Sequence, residues 1–374
     1  MNPTIRSQFP LLNKVTYLNS AAVCLMPLVS QAAGARWREQ LYQARPDALD
    51  TWLAQMEEAR RVVAAFIGAQ PNEVAFMGNT GDGETVVANG LAFRAGQNIV
   101  IDDLEYPSGH IVWREIAKRH GLEVREVQSV NGAATPELFA SLVDDNTQLI
   151  AVAHVSHHNG YRHDLKALAQ LAHAHGAYLF ADATQAIGSF RVDVRELDVD
   201  FLVCATYKWT LGPLGLAFFY CKQELLDELQ LSRWGWLQAE QSDVRGRALK
   251  LRTDARKFEY GTLPFQGIVE LQTSLEFLNE LGMDKVEARV FALNAQLHEG
   301  LRHIGAEVWT PADNRSGMVT IHNLDAKRVG DALEREGIIT MPRPAPKNQI
   351  RISAHVYNNE AEIERCVEAL GKVL

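Results

Sequence analysis

AYLFADATQAIGSFRVDVRELDVDFLVCATYKWTLGPLGLAFFY, residues 177–220, is the stretch that decides the fold. It holds two short apolar runs, 178–181 and 201–204. Each has the length and unbroken hydrophobicity of a strand buried on both faces, as in a parallel sheet. Each breaks off in polar residues: Asp182 after the first, and Thr206, Tyr207 and Lys208 after the second. In open α/β sheets, ligands bind just beyond the carboxyl ends of the strands. The pattern therefore predicts one sheet edge carrying both an acid and an amine. Taken alone, the pair also reads as a plain ion pair. The loop after the amine contains Trp209, Gly212, Pro213 and Gly215, a composition suited to close backbone approach, and Gln185 follows shortly after Asp182.

The chain has 374 residues, enough for two domains and a large core. Its 47% hydrophobic and 22% charged content is that of a soluble globular protein. A net charge of −9 argues against nucleic acid as the main partner. Cys24, Cys204, Cys221 and Cys366 are scattered without CxxC spacing, so neither a zinc site nor a disulfide framework is expected. Residues 1–14 lack the apolar core of a signal peptide, and no run approaches a membrane span. The expected location is cytoplasmic, with no membrane partner.

Outward from the central stretch, a strand at 73–77 leads into Gly78-Asn79-Thr80-Gly81-Asp82-Gly83-Glu84 and then a helix through 93. A Gly-rich strand-to-helix turn is an anion cradle. Its glycines match neither the dinucleotide fingerprint nor a P-loop, which argues against a dehydrogenase. A strand at 98–101 ends before Tyr106-Pro107-Ser108, and one at 148–155 ends in Ser156-His157-His158-Asn159-Gly160. His154, His157, His158 and His163 cluster here, but no Cys or well-placed carboxylate accompanies them, and no metal is expected. Residues 28–67 read as one helical stretch stopped by Gly68, and 164–176 as an amphipathic helix. A helix is expected at 222–231.

An irregular passage, 232–262, carries Arg245, Arg247, Lys250, Arg252, Arg256 and Lys257. Each reads singly as a solvated charge; together they could rim a site for an anionic substrate. Helices at 266–281, 284–303 and 325–336, with strands at 317–322 and 350–353, form an α+β unit. The expected division is a large domain at 16–262 and a small one at 263–374, joined by the arm 1–15.

ADATQAIG (181–188) followed by ATYKWTLGPLG (205–215) resembles the core signature of pyridoxal-phosphate enzymes of the class V aminotransferase family. That family includes cysteine desulfurases, kynureninases and isopenicillin N epimerase-like proteins. The resemblance extends over nearly the whole chain. It implies an α/β fold of type I, with a mostly parallel seven-stranded sheet and a smaller α+β C-terminal domain. It also implies bound pyridoxal 5'-phosphate, an amino-acid substrate and a homodimer with shared active sites. In the residues, it implies that Lys208 binds the cofactor covalently and then serves as base, and that Asp182 faces the ring nitrogen. Gln185 and His157 contact the ring oxygen, His157 standing where relatives often have Asn, which makes that contact open to pH control. Tyr106 stacks on the ring, although by itself it also reads as a surface Tyr before a helix. Thr80, Gly81, Asp82 and Tyr207 hold the phosphate, with Gly81 in place of a common second Thr. Thr262, in Phe258-Glu259-Tyr260-Gly261-Thr262, reaches the phosphate site of the partner subunit. Asn19 and Ala22 line the substrate side, and Arg351 takes the substrate carboxylate as a planar fork.

One branch of the family departs from this chain. Desulfurases carry a nucleophilic Cys shortly before the substrate-binding Arg, and residues 338–348 have none. Cys366 lies beyond Arg351 and reads as a small buried residue. Three outcomes remain at Cα: transamination, elimination at Cβ as in carbon–sulfur lyases, and epimerisation. The family label favours an aminotransferase-type activity.

Overall fold

The computed structural model describes residues 3–43, 45–241 and 250–374, so Arg245 and Arg247 of the basic passage lie outside the described residues. The main sheet has seven strands: β1 (Val74–Met77), β2 (Asn98–Asp102), β3 (Glu123–Val127), β4 (Thr147–Ala153), β5 (Tyr178–Asp182), β6 (Phe201–Ala205) and β7 (Ala217–Cys221). Their spatial order is β1-β7-β6-β5-β4-β2-β3. The pairs among β2 to β6 are parallel, and β7 runs against both of its neighbours. β6 and β7 are buried along their whole length, which is why they read as continuous apolar runs. The chain leaves β2 for β3 on one side and β4 for β5 on the other. The switch point of the sheet therefore lies between β2 and β4, where ligands of such folds bind.

The principal helices are α1 (Leu28–Leu41), α2 (Ala48–Phe66), α3 (Thr80–Gly90), α4 (Pro107–His120), α5 (Leu165–Ala174), α6 (Phe265–Leu281), α7 (Met283–His303), α8 (Ala326–Arg335) and α9 (Glu360–Gly371). The stretch expected as one helix at 28–67 is two, α1 and α2. Pro46 falls between them, where its missing N–H and its ring bar a continuous helix. The helix expected at 222–231 is a shorter 3-10 segment, Gln223–Glu228.

Side chains alternate between the two faces of the sheet. Leu179 and Ala181 of β5 join one cluster with α2 and α6, while Phe180 joins the other with Val87 of α3 and Trp113 of α4. α6 lies beyond the division expected at 262/263, yet its Ile268, Leu271 and Leu275 belong to the core of the large sheet. A separate C-terminal core begins within α7. Strands β8 (Met318–Ile321), β9 (Met341–Arg343) and β10 (Gln349–Ser353) form an antiparallel sheet with β10 central. Leu18 from the N-terminal segment is buried in that core with Leu297, Val319 and Ile352.

β1 is an edge strand, and side chains rather than another strand satisfy its outer backbone groups. Arg60 of α2 donates from Nη1 to the Val74 carbonyl at 2.8 Å, and Glu259 Oε1 accepts from the Phe76 N–H at 2.7 Å. The two side chains form a bidentate pair at 2.6 and 3.0 Å. Arg60 is 0% and Glu259 2% exposed, so loss of either partner strands a buried charge. Arg60→Ala is expected to lower stability by about 3–5 kcal/mol. The Arg60→Ala/Glu259→Ala double variant is expected to lose less than the sum of the two single variants. Urea denaturation followed by tryptophan fluorescence measures both; simple additivity would show that the pair does not act as a unit.

Candidate active site

β5 and β6 pair with Asp182 opposite Val203, so both strands end at one edge. The loops beyond them are tied together. Thr184 N–H donates to Asp182 Oδ1 at 2.8 Å, and Thr184 Oγ1 accepts from Ala205 N–H at 2.9 Å. Gly188, at φ 95°, passes directly beneath the Lys208 loop, where a Cβ would stand 2.2 Å from the Trp209 carbonyl oxygen. Only glycine fits that position. The result is a cleft of about 360 Å³ lined by Lys208, Asp182, Gln185, His157, Tyr106, Tyr207 and Thr80, together with Thr184 and small residues.

Burial pulls the Lys208 amine down to about 8, against the opposing pull of Asp182. Burial likewise raises Asp182, while the hydrogen bonds from Thr184 and the charge of Lys208 draw it back. Behind Asp182 lie two further acids. Glu84 is raised to about 8 by burial and by Asp182, and Glu105 is raised by burial and by Asp102, Glu84 and Asp182. Gln185 is clamped by its amide: Oε1 accepts from Trp209 Nε1 at 2.8 Å and Nε2 donates to the Ala21 carbonyl at 2.9 Å. One amide N–H remains for a ligand.

At one end of the cleft is the first turn of α3. Its N-cap Asn79 accepts from the Asp82 N–H at 3.0 Å, and Asp82 Oδ2 accepts from the Gly78 N–H at 3.2 Å. A Cβ at Gly81 would lie 3.1 Å from Asn79 Oδ1, so the glycine that stands in place of a common Thr suits this tight cap. The amides of Thr80 and Gly81 head the helix, where no intrahelical acceptor exists. Thr80 lines the cleft, whereas the Asp82 carboxylate turns away to Arg233 at 3.0 Å. Thr262 is exposed and borders a second opening of about 790 Å³, together with Gly78, Asp82, Arg233 and Tyr260.

Tyr106 is the N-cap of α4 and stands at the mouth of the cleft, its ring edge-on to His157 at 4.7 Å and its face 5.6 Å from Lys208 Nζ. His157 is 7% exposed, and its Nδ1 has no hydrogen-bond partner. The surroundings of His157 disfavour the charged ring on which the expected pH control depends. Burial first, then its neighbours His158, Arg343, Arg351 and Lys208, hold its pKa well below the ordinary value, which favours the neutral ring. The other clustered histidines have structural places. His163 lies 3.0 Å from Asp102, and His154 packs edge-on against Phe190. No group of metal-binding side chains occurs among the described residues.

The N-terminal segment threads between the Lys208 loop and β10. Cys24 N–H donates to the Tyr207 carbonyl at 2.9 Å, and Ala21 N–H to Ser353 Oγ at 2.9 Å. Asn19 bridges to Ser353, its Oδ1 buried without a partner, and Ala22 N–H closes a turn onto the Asn19 carbonyl at 3.0 Å. Arg351 of β10 is 3% exposed and donates from Nη1 to the His157 carbonyl at 3.1 Å. The basic passage does not rim this cleft among the described residues. Lys250 pairs with Glu240, Arg252 donates to the Leu237 carbonyl, Arg256 pairs with Asp254 and Glu57, and Lys257 donates to the Leu226 carbonyl. A cation missed in the sequence, Arg343, is at the site instead, donating to the same His157 carbonyl at 2.8 Å. The signal that could have found it is Arg at the end of a short strand next to the strand of Arg351.

The "Aminotransferase class-V" family model matches residues 17–366. A protein named "Probable cysteine desulfurase" from Methanothermobacter thermautotrophicus is 31% identical, over 99% of this chain and 97% of its own. An "Uncharacterized aminotransferase YcbU" of Bacillus subtilis is 30% identical, over 98% of this chain and 96% of its own. Among solved structures, an apo cysteine desulfurase from Thermococcus onnurineus NA1 superposes with a TM-score of 0.92 at 26% identity, covering 100% of this chain and 98% of that one. With a lysine, a carboxylate and a free helix N-terminus converging on one cleft, the chain belongs to the class-V aminotransferase family, a pyridoxal-phosphate-dependent family of the type I fold.

Proposed function

We propose that this chain acts at the Cα of an α-amino acid by aminotransferase-type chemistry, without forming an enzyme-bound persulfide. The observation that carries the reading is Lys208: a buried amine with its pKa lowered to about 8, beside a buried carboxylate in an enclosed cleft. The donor set fits pyridoxal phosphate. Lys208 would hold its aldehyde carbon, Asp182 its protonated ring nitrogen, and the remaining amide N–H of Gln185, with the orphaned His157 Nδ1, its ring oxygen. The amides of Thr80 and Gly81 at the head of α3, with Tyr207, would hold the phosphate. When bound, the cofactor supplies an electron-withdrawing ring that makes the Cα–H of an attached amino acid acidic.

The protein's part is to position and to move one proton. Arg351 holds the substrate carboxylate. Lys208 removes the Cα proton as the neutral amine, and burial in the cleft lowers its pKa to about 8, which raises the share of neutral amine near physiological pH. Asp182 keeps its charge toward the ring because Thr184 donates to it. The three possible outcomes all begin with this proton removal. The names of the desulfurase relatives support elimination of a sulfur group as a second reading. The thiols speak against a persulfide route. All four cysteines are buried, with Cys24 and Cys366 pushed up to about 12 by burial, so none offers a thiolate.

We further propose a homodimer in which Thr262 contributes to the phosphate site of the partner subunit. The family resemblance supports this, as does the exposed Trp234, next in the chain to Arg233 of the Thr262 opening.

Incubation of the holoenzyme with a panel of amino acids, scoring keto acid, sulfide and racemised product separately, tests the reaction. Keto acid with transfer of the amine is expected; release of sulfide or loss of chirality alone would move the assignment to lyase or epimerase. A variant with all four cysteines replaced by alanine or serine should retain its activity on non-sulfur amino acids. A persulfide trapped on any cysteine during turnover would overturn that part of the reading. Borohydride reduction and peptide mapping should label Lys208, and Lys208→Ala should remove the covalent cofactor. The sign of the pH dependence follows from the base. The amine is protonated below its pKa of about 8, so the proton-removal rate should rise about tenfold per pH unit toward that value and level off above it. A flat profile from pH 6 to 9 would exclude Lys208 as the base. Mixed dimers of Lys208→Ala with Thr262→Ala subunits should recover activity that neither parent shows; a fully active Thr262→Ala monomer would exclude shared sites.

A further inference from the structure

We propose that Arg343 and Arg351 form a double anion site, and that the preferred substrate is an α-amino acid bearing a second carboxylate. This rests on the amino-acid reading above and deepens it to a substrate class.

β9 and β10 pair with Met341 opposite Arg351 and Arg343 opposite Gln349. Arg343 is therefore the diagonal neighbour of Arg351 on the same face. Both guanidiniums converge on one acceptor, the His157 carbonyl, at 2.8 and 3.1 Å. The carbonyl oxygen accepts from both with its two lone pairs but carries no full charge, so it neutralises neither cation. Among the described residues, no carboxylate is one of the groups that shift either arginine: burial lowers both, Arg343 adds to the lowering of Arg351, and Tyr106 opposes it in both. The strain of this arrangement shows in Arg351, pulled down to about 9 by burial and by Arg343. Each arginine also keeps a buried donor with no acceptor, Nε of Arg351 and Nη1 of Arg343. Lys347 adds a third cation, close enough to Arg343 and Arg351 to be depressed by both.

Two buried, adjacent and uncompensated guanidiniums are unfavourable in the free protein. One α-carboxylate can accept from both orphan donors with its two oxygens but supplies one negative charge, so one of the two cations stays without a counter-charge. A second carboxylate on the substrate side chain supplies that charge. The other acids near the cleft, Asp182 at the end of β5, Glu84 of α3 and Glu105 beyond β2, are not among the groups that shift either arginine.

The test separates anion binding from chemistry. Isothermal titration of the holoenzyme with succinate and with butyrate measures affinity without an amino group. Succinate should bind at least about tenfold more tightly, as expected for an added charge-assisted contact. Arg343→Ala should erase most of that preference while weakening butyrate much less, and Arg343→Lys should restore part of it. Turnover or spectral change with aspartate and glutamate should fall about 10–100-fold in Arg343→Ala relative to the change with alanine. If the wild type binds both acids equally, or if Arg343→Ala weakens both equally, the second anion site is refuted, whatever the amino-acid panel shows. If no amino acid alters the cofactor absorbance while succinate is preferred, the amino-acid reading fails and the double anion site stands as a site for another dicarboxylate.

Discussion

Two parallel strands, β5 and β6, leave the sheet side by side with Asp182 opposite Val203. Because both are buried on both faces, their register is set by packing above and below. A slip of one residue would send every side chain of a strand to the opposite face, Asp182 included. The acid would then leave the cleft that the Lys208 loop encloses. The hydrogen bonds of Thr184 to Asp182 and to Ala205 lock the two strand ends against such a slip. Gly188 lets the loops cross at a distance that no side chain would tolerate.

Charge is sorted across the cleft. On the floor, burial raises Asp182, Glu84 and Glu105. Of these, Asp182 alone has both the Thr184 donors and the Lys208 amine to favour its charged form, so the negative charge concentrates there. Lys208, Arg343 and Arg351 bring cations to His157, which add to its burial in lowering its pKa. A bound anionic cofactor and substrate would relieve that crowding. The cleft is arranged for ligands that are negative at the phosphate and carboxylate and positive at the ring nitrogen.

The edge of the sheet carries a second device. The Arg60–Glu259 pair occupies backbone groups of β1 that would otherwise be open to another strand. The same Glu259 begins the segment that runs through Tyr260 and Gly261 to Thr262. A buried ion pair thus fixes where an exposed threonine stands, and links the stability of the edge to the proposed contact with a second subunit.

The buried strands and the placement of Asp182 and Lys208 at one edge were legible in the sequence, because buried strands leave unbroken apolar runs and a sharp polar end. The Gly-rich turn at the head of α3 was legible for a similar reason: Asn79, Gly81 and the helix start are local. What the sequence left open depends on residues far apart in the chain. The break between α1 and α2 has a local sign, Pro46, but the packing of α6 into the large core depends on contacts with α1 and α2. His157 looked like a pH switch because a lone imidazole titrates near neutrality; burial, with the arginines of β9 and β10 nearly two hundred positions later, lowers its pKa. The basic passage looked like a rim for an anion, since charge is visible in a sequence and pairing is not. Its described cations are engaged by Glu240, Asp254, Glu57 and backbone carbonyls, while Arg343 and Arg351 are left without a counter-ion. Residue type and local pattern determined the sheet, the turn and the reactive pair. Tertiary structure decided which charges are compensated, because compensation depends on distance in space and on burial, and neither is written along the chain.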